Sequence, residues 1–360
     1  MNPGFMVRFR PLGPWRIGPE SGARDQVDRI LHSDTLFSAV SQAMLRLGLI
    51  EEWMAATAAS AAPPEVVFSS LFPCLEDLHF LPPPQTLWPP SPSPKVRWRN
   101  ARFVPLEALR GLVAEQPLND SRWYLDGWSD CLLPAESKLR SGPFRTAVRS
   151  HAAVDRVSRS AAEAHQTACL EFAAGGGFWG VVGFAGEEAQ ARWCGPVQTA
   201  LRLLADTGMG GERSLGWGRS AEPEFTAGVL PNLILPAAPP EESREFANGD
   251  SESGPKPAQE TAYFLLSLYS PAPEDAIDWQ RGCYSLVTRG GRVESPVRSG
   301  EAKKLVRMVE EGSVVVAPAP PKGCAPDVAP DGFPHPVFRS GLALSIPLPP
   351  RQPERAVGAS

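Results

Sequence analysis

The sequence predicts an α+β fold arranged as two domains. The chain has 360 residues, of which 42 % are apolar, and this is enough for two ordinary hydrophobic cores. The stretch 236–260 is rich in Pro, Glu, Ser and Gly and poor in apolar side chains, which is typical of a disordered linker. We therefore expect an N-terminal domain over 1–235, a C-terminal domain over 261–350 and a tail over 351–360.

The first strand and helix follow from the spacing of apolar residues. Residues 4–10 alternate in the manner of a half-buried strand. Residues 34–47 repeat apolar side chains every three or four positions, which predicts an amphipathic helix. Ser33 or Asp34 can cap the start of this helix, and Gly48 can end it.

The next elements complete a known order of strands and helices. Residues 169–184 predict a hairpin that turns around consecutive glycines, and residues 196–205 predict a second helix with Pro196 in its first turn. A Gly-rich segment and a short strand over 219–225 follow. This order is the split βαβ pattern of a ferredoxin-like (RRM-like) domain, here with a long insertion at about 50–145.

The C-terminal part predicts a second, smaller α+β domain. Its apolar runs predict strands, and the segment 301–310 predicts a short helix. The predicted strands are 262–269, 283–289, 313–317 and 337–346.

Composition and charge exclude several classes of protein. A net charge of −5 argues against a protein that coats nucleic acid non-specifically. No apolar run approaches the ~18 residues of a membrane span, and the N-terminus lacks the apolar region of a signal peptide, so we expect a cytoplasmic protein. The six cysteines show no CxxC spacing, so we expect reduced thiols and neither a metal nor another cofactor.

A Gly-rich loop lies between the predicted second helix and the last strand of the N-terminal domain. Clustered glycines let a backbone come close to a ligand, and successive N–H groups in such a turn form a concavity for an anion. Arg213, Ser214 and Arg219 could contact phosphates, and Trp217 could stack on a base or pack inward. The glycines of this loop are Gly208, Gly210, Gly211, Gly216 and Gly218.

The spacing of this loop fits a flexible helix–strand connection as well as it fits a phosphate site. A Walker A loop is excluded because the GK[ST] ending is absent, and a dinucleotide fingerprint is excluded because a strand follows instead of a helix. A small-molecule phosphate or nucleotide site at the same loop is a further option.

A polar block lies at the start of the predicted first helix. His32, Ser33 and Asp34 are placed where the N–H groups of a helix N-terminus can bind an anion. Capping alone also explains Ser33 and Asp34, and a structural hydrogen bond explains His32.

A basic stretch alternates cations with small residues. As a strand and loop it would present a line of positive charge to a phosphate backbone. A solvated surface ribbon is the simpler explanation of such a run. The candidate residues of this stretch are Arg149, His151, Arg156 and Arg159.

No constellation for catalysis is visible in the sequence. The HExxH, GxSxG and SxxK motifs are absent, and neither Asp34 nor Asp206 has a second carboxylate nearby for a two-metal site. We therefore expect no catalytic residue and no enzymatic activity.

Several stretches together resemble the RAMP superfamily of CRISPR proteins. The Gly-rich loop alone indicates a RAMP protein. Two C-terminal stretches favour the subunit of the type III-A (Csm) complex that caps the 5′ end of the guide RNA over its counterpart in the type III-B (Cmr) complex. The matching stretches are ILHSDTLFSAV at 30–40, HAAVDRVSRSA at 151–161, DTGMGGERSLGWGRS at 206–220, VEEGSVV at 309–315 and HPVFRSGLAL at 335–344.

The resemblance implies two ferredoxin-like domains and a subunit without nuclease activity of its own. It implies binding to the 5′ repeat-derived tag of crRNA, to a polymerase/cyclase-like large subunit and to backbone RAMP subunits, within a hetero-oligomeric ribonucleoprotein for antiviral defence. The tag contacts would fall on His32–Asp34, on Arg149–Arg159 and on Gly210–Gly218. The alternative is a RAMP endoribonuclease that processes CRISPR repeat RNA, with His32 or His151 as general base.

Overall fold

A computed structural model gives the fold of this chain. The predicted linker 236–260, apart from Glu260, and the predicted tail 351–360 lie outside the residues that it describes. Arg156 and Arg159 of the predicted basic stretch also lie outside them. The structure describes residues 2–19, 21–59, 62–90, 98–136, 139, 141–154, 157–158, 161–235 and 260–350.

The described residues form helices and mostly antiparallel strands. None of the described helices is both long enough and apolar enough to cross a bilayer. The helices are α1 (Ser33–Arg46), α2 (Ile50–Ala56), α3 (Leu106–Val113) and α4 (Glu187–Thr207), with 3₁₀ turns at Asp120–Arg122 and Arg213–Leu215. The strands of the N-terminal part are β1 (Asn2–Phe9), β2 (Val66–Phe68), β3 (Phe72–Leu75), β4 (Leu78–Leu81), β5 (Val104–Pro105), β6 (Trp123–Leu125), β7 (Leu132–Pro134), β8 (Phe144–Val154), β9 (Ala161–Phe172), β10 (Gly176–Phe184) and β11 (Glu224–Leu230). The strands of the C-terminal part are β12 (Thr261–Leu265), β13 (Asp278–Cys283), β14 (Leu286–Arg289), β15 (Val306–Val309), β16 (Val314–Ala317), β17 (Gly323–Cys324), β18 (Gly341–Leu342) and β19 (Ser345–Pro347).

The main sheet is built around β1. Its order is β11-β1-β10-β3-β4-β5, and β2 also pairs with β10. Alternate side chains of β1 point into the core, because successive residues of a strand face opposite sides, and Phe5, Val7 and Phe9 are accordingly buried. Helix α4 packs against β1, β10 and α1. These contacts place the loop that follows α4 at one end of the sheet.

The first predicted strand and helix are confirmed as β1 and α1, but the predicted cap of α1 is wrong. His32 occupies the N-cap position, and no side chain caps the helix there. Ser33 and Asp34 bind other partners, described below. At the other end of the helix, Gly48 follows with φ +74°, the left-handed conformation that glycine adopts most readily.

The predicted hairpin 169–184 is wrong. Its first half belongs to β9, which pairs with β8, while its second half is β10, which pairs with β1, β2 and β3. The strands beside β10 come instead from β2 and β3, within the expected insertion. The residues of β3 are all buried, so this strand lacks the alternation that marks a half-buried strand, and local pattern does not identify its partner.

Two further N-terminal elements differ from prediction. Helix α4 begins at Glu187, so Pro196 lies inside it. A proline there removes one helical hydrogen bond and crowds the carbonyl four residues earlier, yet the buried stripe of Trp193, Val197 and Leu201 continues past it. The last strand, β11, begins only at Glu224, near the end of the predicted range 219–225.

The C-terminal part is a small antiparallel structure. Strands β13, β16, β12 and β19 form a four-stranded sheet, and β14 pairs with β15. Three of the predicted strands are found as β12, β14 and β16, which correspond to the predicted ranges 262–269, 283–289 and 313–317. The fourth predicted range, 337–346, contains only the short β18 and part of β19. The predicted helix 301–310 is wrong, because its last residues form β15, and the described range 260–350 contains no helix.

The two parts share one buried core. Apolar residues from the C-terminal sheet belong to the same buried cluster as the core of the N-terminal part. The Ser70 N–H also donates a hydrogen bond to the Leu266 carbonyl, at 2.9 Å. The C-terminal residues of this shared cluster are Phe264, Leu266, Val314, Leu344, Ile346 and Leu348.

Candidate functional site

The Gly-rich loop is folded tightly onto the segment that follows β1. The N–H of Gly218 donates to the Pro14 carbonyl at 2.9 Å, and the N–H of Gly211 donates to the Arg16 carbonyl at 2.8 Å. A Cβ atom on Gly210 would lie 2.2 Å from that same carbonyl oxygen. Gly210 therefore allows close packing of backbone on backbone, and the loop is a fixed connection.

The tip of the loop carries exposed polar side chains. Arg213, Ser214 and Arg219 are all exposed. Arg213 forms an ion pair with Glu294 of the C-terminal part, with 3.1 Å between Nη2 and Oε1. The Arg219 carbonyl accepts a hydrogen bond from the Leu12 N–H at 3.0 Å, so its backbone is fixed while its side chain faces solvent. Leu215 and Gly216 are exposed as well, so the two arginines and the serine are the polar side chains that the loop can offer a ligand.

Trp217 packs inward from the loop. It is 8 % exposed, and its ring centroid lies 5.7 Å from that of His151. Since His151 belongs to β8, this contact joins the loop to the two-stranded ribbon of β8 and β9.

The ribbon of β8 and β9 carries the described part of the basic stretch. The strand expected around Arg149 and His151 is confirmed as β8. Arg145, Arg149 and His151 share one face of it, because residues two apart point to the same side. Glu171 on β9 accepts from Arg145 at 2.9 Å and also pairs with Arg149. One carboxylate therefore serves two guanidinium groups, and His165 lies opposite His151 with 5.4 Å between ring centroids.

Arg16 lies beneath the loop, and no sequence pattern marks it as a candidate site residue. Arg16 is 7 % exposed, and its guanidinium group donates to backbone carbonyls. A Cβ atom on Gly211 would lie 3.2 Å from its Cδ, so its charge lies directly behind the loop. Carbonyl oxygens reduce the cost of burying a charge without neutralising it. Its acceptors are the carbonyls of Ala23, Arg24, Gln26 and Ala168.

The side chain of His32 is directed at an acid of the C-terminal part. Its Nδ1 lies 2.9 Å from Oε1 of Glu311, and both side chains are buried. The Ser70 hydroxyl donates to the same carboxylate. Burial alone would lower the pKa of His32, but the Glu311 carboxylate outweighs it and the pKa is raised. Burial would raise the pKa of Glu311, but His32 and the Ser70 hydroxyl keep it below its ordinary value.

Asp34 holds two arginines of the C-terminal part. Arg289 makes a bidentate pair with it, with 3.1 Å from Nε to Oδ2 and 3.0 Å from Nη2 to Oδ1. Arg339 pairs with the same Oδ2. Burial would raise the pKa of Asp34, but the two guanidinium groups outweigh it and hold the pKa far below its ordinary range. Ser33 completes the junction, since its hydroxyl accepts from the Leu268 N–H at 3.0 Å.

The polar block at the start of α1 is therefore a junction between the two parts of the chain. The side chains of His32, Ser33 and Asp34 are buried against protein partners, which supports the structural explanation of these residues. Their contact with RNA stays a prediction. Glu311 and Arg339 lie in the stretches 309–315 and 335–344, so three of the stretches that carry the resemblance meet here. This role depends on pairing between residues that are distant in the chain.

We expect the His32–Glu311 pair to stabilise the protein most between about pH 4.5 and pH 6.5, the ordinary pKa values of the two groups. Because folding raises the pKa of His32, its contribution is complete below 6.5 and is lost as pH rises through the folded value. Because folding lowers the pKa of Glu311, its contribution is complete above 4.5 and is lost as pH falls through the folded value.

The measurement compares the free energy of unfolding of the wild type and His32→Gln from below pH 4.5 to well above pH 6.5. The stability difference between the two proteins should shrink as pH rises above the window. A difference that stays constant from acid to alkaline pH would contradict an ionised pair.

Comparisons with known proteins agree with this architecture. Residues 258–348 match the family described as the CRISPR Csm4 C-terminal domain. A chain in a crystal structure of the Csm3–Csm4 subcomplex of the type III-A CRISPR-Cas interference complex has 16 % identity and a TM-score of 0.58, with 96 % of this chain and 100 % of that chain covered. A chain in a crystal structure of the Csm1–Csm4 cassette with cA4 has 16 % identity and a TM-score of 0.54, with 98 % and 100 % covered. No curated protein matches the sequence.

The C-terminal residues 258–348 match the Csm4 C-terminal domain family, and the fold of the chain is similar to that of RAMP subunits in CRISPR complexes. This similarity is to Csm4 in particular, in agreement with the resemblance seen in the sequence.

Proposed function

We propose that this chain is a non-catalytic subunit of a type III-A CRISPR-Cas effector complex and binds the 5′ tag of crRNA. The observation that carries the proposal is a surface with exposed arginines on two elements that contact each other. The exposed side chains of Arg213 and Arg219 on the loop, and of Arg149 on the ribbon, are joined through the contact of Trp217 with His151. Phosphate groups of a single RNA strand suit such a surface, because its charges are arginines on fixed backbone.

The proposed partners follow from the similar structures. These contain Csm3 with Csm4, or Csm1 with Csm4. For this chain we propose a backbone RAMP subunit and a large subunit as partners, in a hetero-oligomeric ribonucleoprotein of the cytoplasm. The family match favours this assignment over the equivalent subunit of a type III-B complex.

We infer a ferredoxin-like fold for the N-terminal domain, over 1–235. Its sheet order β11-β1-β10-β3 is the order fourth, first, third and second strand of a split βαβ unit, with α1 and α4 as its helices. For the C-terminal domain, over 261–350, the same inference rests on the strand order β19-β12-β16-β13 alone, since the described range 260–350 contains strands and loops in place of the two helices. The range 236–260 would be the linker between them.

The non-catalytic assignment rests on the surroundings of the candidate general bases. His32 is buried in its pair with Glu311. In the described part of the chain, no group of three or more His, Cys, Asp or Glu side chains is arranged to hold a metal ion. A catalytic role for His151 is the remaining form of the endoribonuclease alternative.

We expect an Arg213→Ala, Arg219→Ala variant to bind tagged guide RNA more weakly and with less dependence on salt. Removing one arginine–phosphate contact should reduce the slope of log K against log salt by about 0.7 for a single strand. The measurement is fluorescence anisotropy of a tagged guide RNA with the purified chain, repeated at several salt concentrations.

The matched control is an Arg122→Ala, Arg281→Ala variant, which removes two exposed arginines that also pair with glutamates, Glu107 and Glu260. Equal affinity and slope for the loop variant, the control and the wild type would overturn the assignment of the loop. Metal-independent cleavage of repeat RNA that is abolished in His151→Ala would favour the endoribonuclease instead.

A further inference from the structure

A cleft lies between α1, the Gly-rich loop and the C-terminal part. Its volume is about 360 Å³. One wall is the face of α1 that carries Thr35, Gln42 and Arg46, and the second wall is the loop from Gly208 to Arg213. The third wall comes from the C-terminal part and includes Arg292. The cleft therefore exists only when both parts of the chain are assembled.

Among the residues that the structure describes, the floor of the cleft carries more positive than negative charge. Asp34 lines it with Arg289 and Arg339, so one carboxylate faces two guanidinium groups. The Nε of Arg339 is buried without a hydrogen-bond partner among the described residues. Arg16 also lines the cleft, and its guanidinium donates to backbone carbonyls. Burying cations in this way leaves a net positive potential, because only ionised partners cancel a charge.

The mouth of the cleft also carries more positive than negative charge among its described residues. In the described part of the chain, it is lined by Arg46, Arg213, Arg292 and Lys303, with Glu294 as the acid beside them. Arg46 and Arg292 are exposed. Glu294 is held in place, because its carbonyl accepts from Nε2 of Gln42 at 2.8 Å and its carboxylate pairs with Arg213.

We propose that this cleft holds a phosphate group of the RNA that passes the Gly-rich loop, with Arg46 and Arg292 as its contacts on opposite walls. The inference rests on the proposed function and adds the C-terminal part to the RNA-binding surface. Guanidinium groups bind phosphate oxygens through two parallel hydrogen bonds, and the positive floor attracts the anion into the cleft. Glu294 opposes binding, because it competes for Arg213 and repels the phosphate.

The test is binding of tagged guide RNA to an Arg46→Ala, Arg292→Ala variant. We expect affinity to fall about tenfold or more, and the salt slope to fall by about 0.7 for each phosphate that is no longer neutralised. Glu294→Gln should do the opposite and tighten binding severalfold, a result that loss of packing would not produce. The Arg122→Ala, Arg281→Ala variant is the control, and thermal unfolding of each variant verifies the fold.

Binding measurements with two forms of the RNA and with inorganic phosphate show which kind of phosphate the cleft holds. If the cleft holds a terminal phosphate, a 5′-phosphorylated tag binds more tightly than a 5′-hydroxyl tag, and only when Arg46 and Arg292 are present. If the cleft holds an internal phosphate of the RNA backbone, the two RNA forms bind with equal affinity, and the Arg46→Ala, Arg292→Ala variant binds both more weakly. If inorganic phosphate alone raises the unfolding temperature of the wild type but RNA affinity is the same in the variant, the proposal of an RNA contact is overturned.

Failure of this inference is distinct from failure of the proposed function. Wild-type affinity for tagged RNA with no change in the Arg46→Ala, Arg292→Ala variant overturns the cleft and leaves the proposed function intact. Absence of binding by the wild type itself, alone and with its partner subunits, overturns both.

Discussion

Replacing Asp34 with alanine should destabilise the protein by about 3–5 kcal/mol, since it leaves Arg289 and Arg339 buried without their shared partner. Both guanidinium groups are directed at this carboxylate from the C-terminal part, and both side chains are buried. The measurement is urea unfolding followed by tryptophan fluorescence, for which the chain offers ten tryptophans.

Two controls isolate the cause of this destabilisation. Asp206→Ala removes an exposed acid and should change stability by about 0.5 kcal/mol or less. Asp34→Ala combined with Arg289→Met and Arg339→Met removes the buried charges as well, and should recover part of the stability. Equal stability of Asp34→Ala and Asp206→Ala would show that the ion pairs do not hold the junction together.

Replacing Gly218 with alanine should cost far more stability than replacing Gly216 with alanine. Both glycines have positive φ, +78° and +80°, so an alanine at either position costs about 1–2 kcal/mol of backbone strain. A Cβ on Gly218 would also lie 2.0 Å from the Met209 carbonyl oxygen, whereas a Cβ on Gly216 meets nothing within 4 Å. Only the first substitution therefore forces backbone to move.

The pair of variants separates strain from steric clash in one loop. Thermal unfolding should give a small decrease in melting temperature for Gly216→Ala and at least twice that decrease for Gly218→Ala. RNA binding should follow the same order, since movement of Gly218 would displace the neighbouring Arg219 and Trp217. Equal decreases for the two variants would mean that the loop relaxes around the added methyl group and is less rigid than its packing implies.

The sequence predicts the elements whose pattern is local. Strand β1 alternates and α1 repeats at helical spacing, so both are predicted with nearly correct ends. The pairing of strands is harder to predict. The β3 residues are buried on both faces, and no pattern within them selects β10 as the neighbouring strand. The segment 301–310 contains apolar residues at helical spacing, yet Leu286 to Arg289 pair with Val306 to Val309 as strands. Tertiary pairing overrides weak local preference here.

The residues of the candidate site also fall into those that a local sequence pattern predicts and those that it does not. The Gly-rich loop is visible in the sequence because its glycines are close together in the chain. Arg16, by contrast, acquires its role from carbonyls of separate segments, and Arg292 reaches the cleft only through the assembly of both parts. No local motif marks such residues, since their chemistry depends on which distant groups fold beside them.

The shared core has a consequence for how this chain can be divided into parts. The family match at 258–348 defines a unit of homology, whereas Phe264, Leu266, Val314, Leu344 and Ile346 are covered by residues of the N-terminal half. A recombinant fragment of this range would present that apolar surface to water, together with arginines separated from Asp34. For this chain the module that sequence comparison recognises is therefore smaller than the module that can fold.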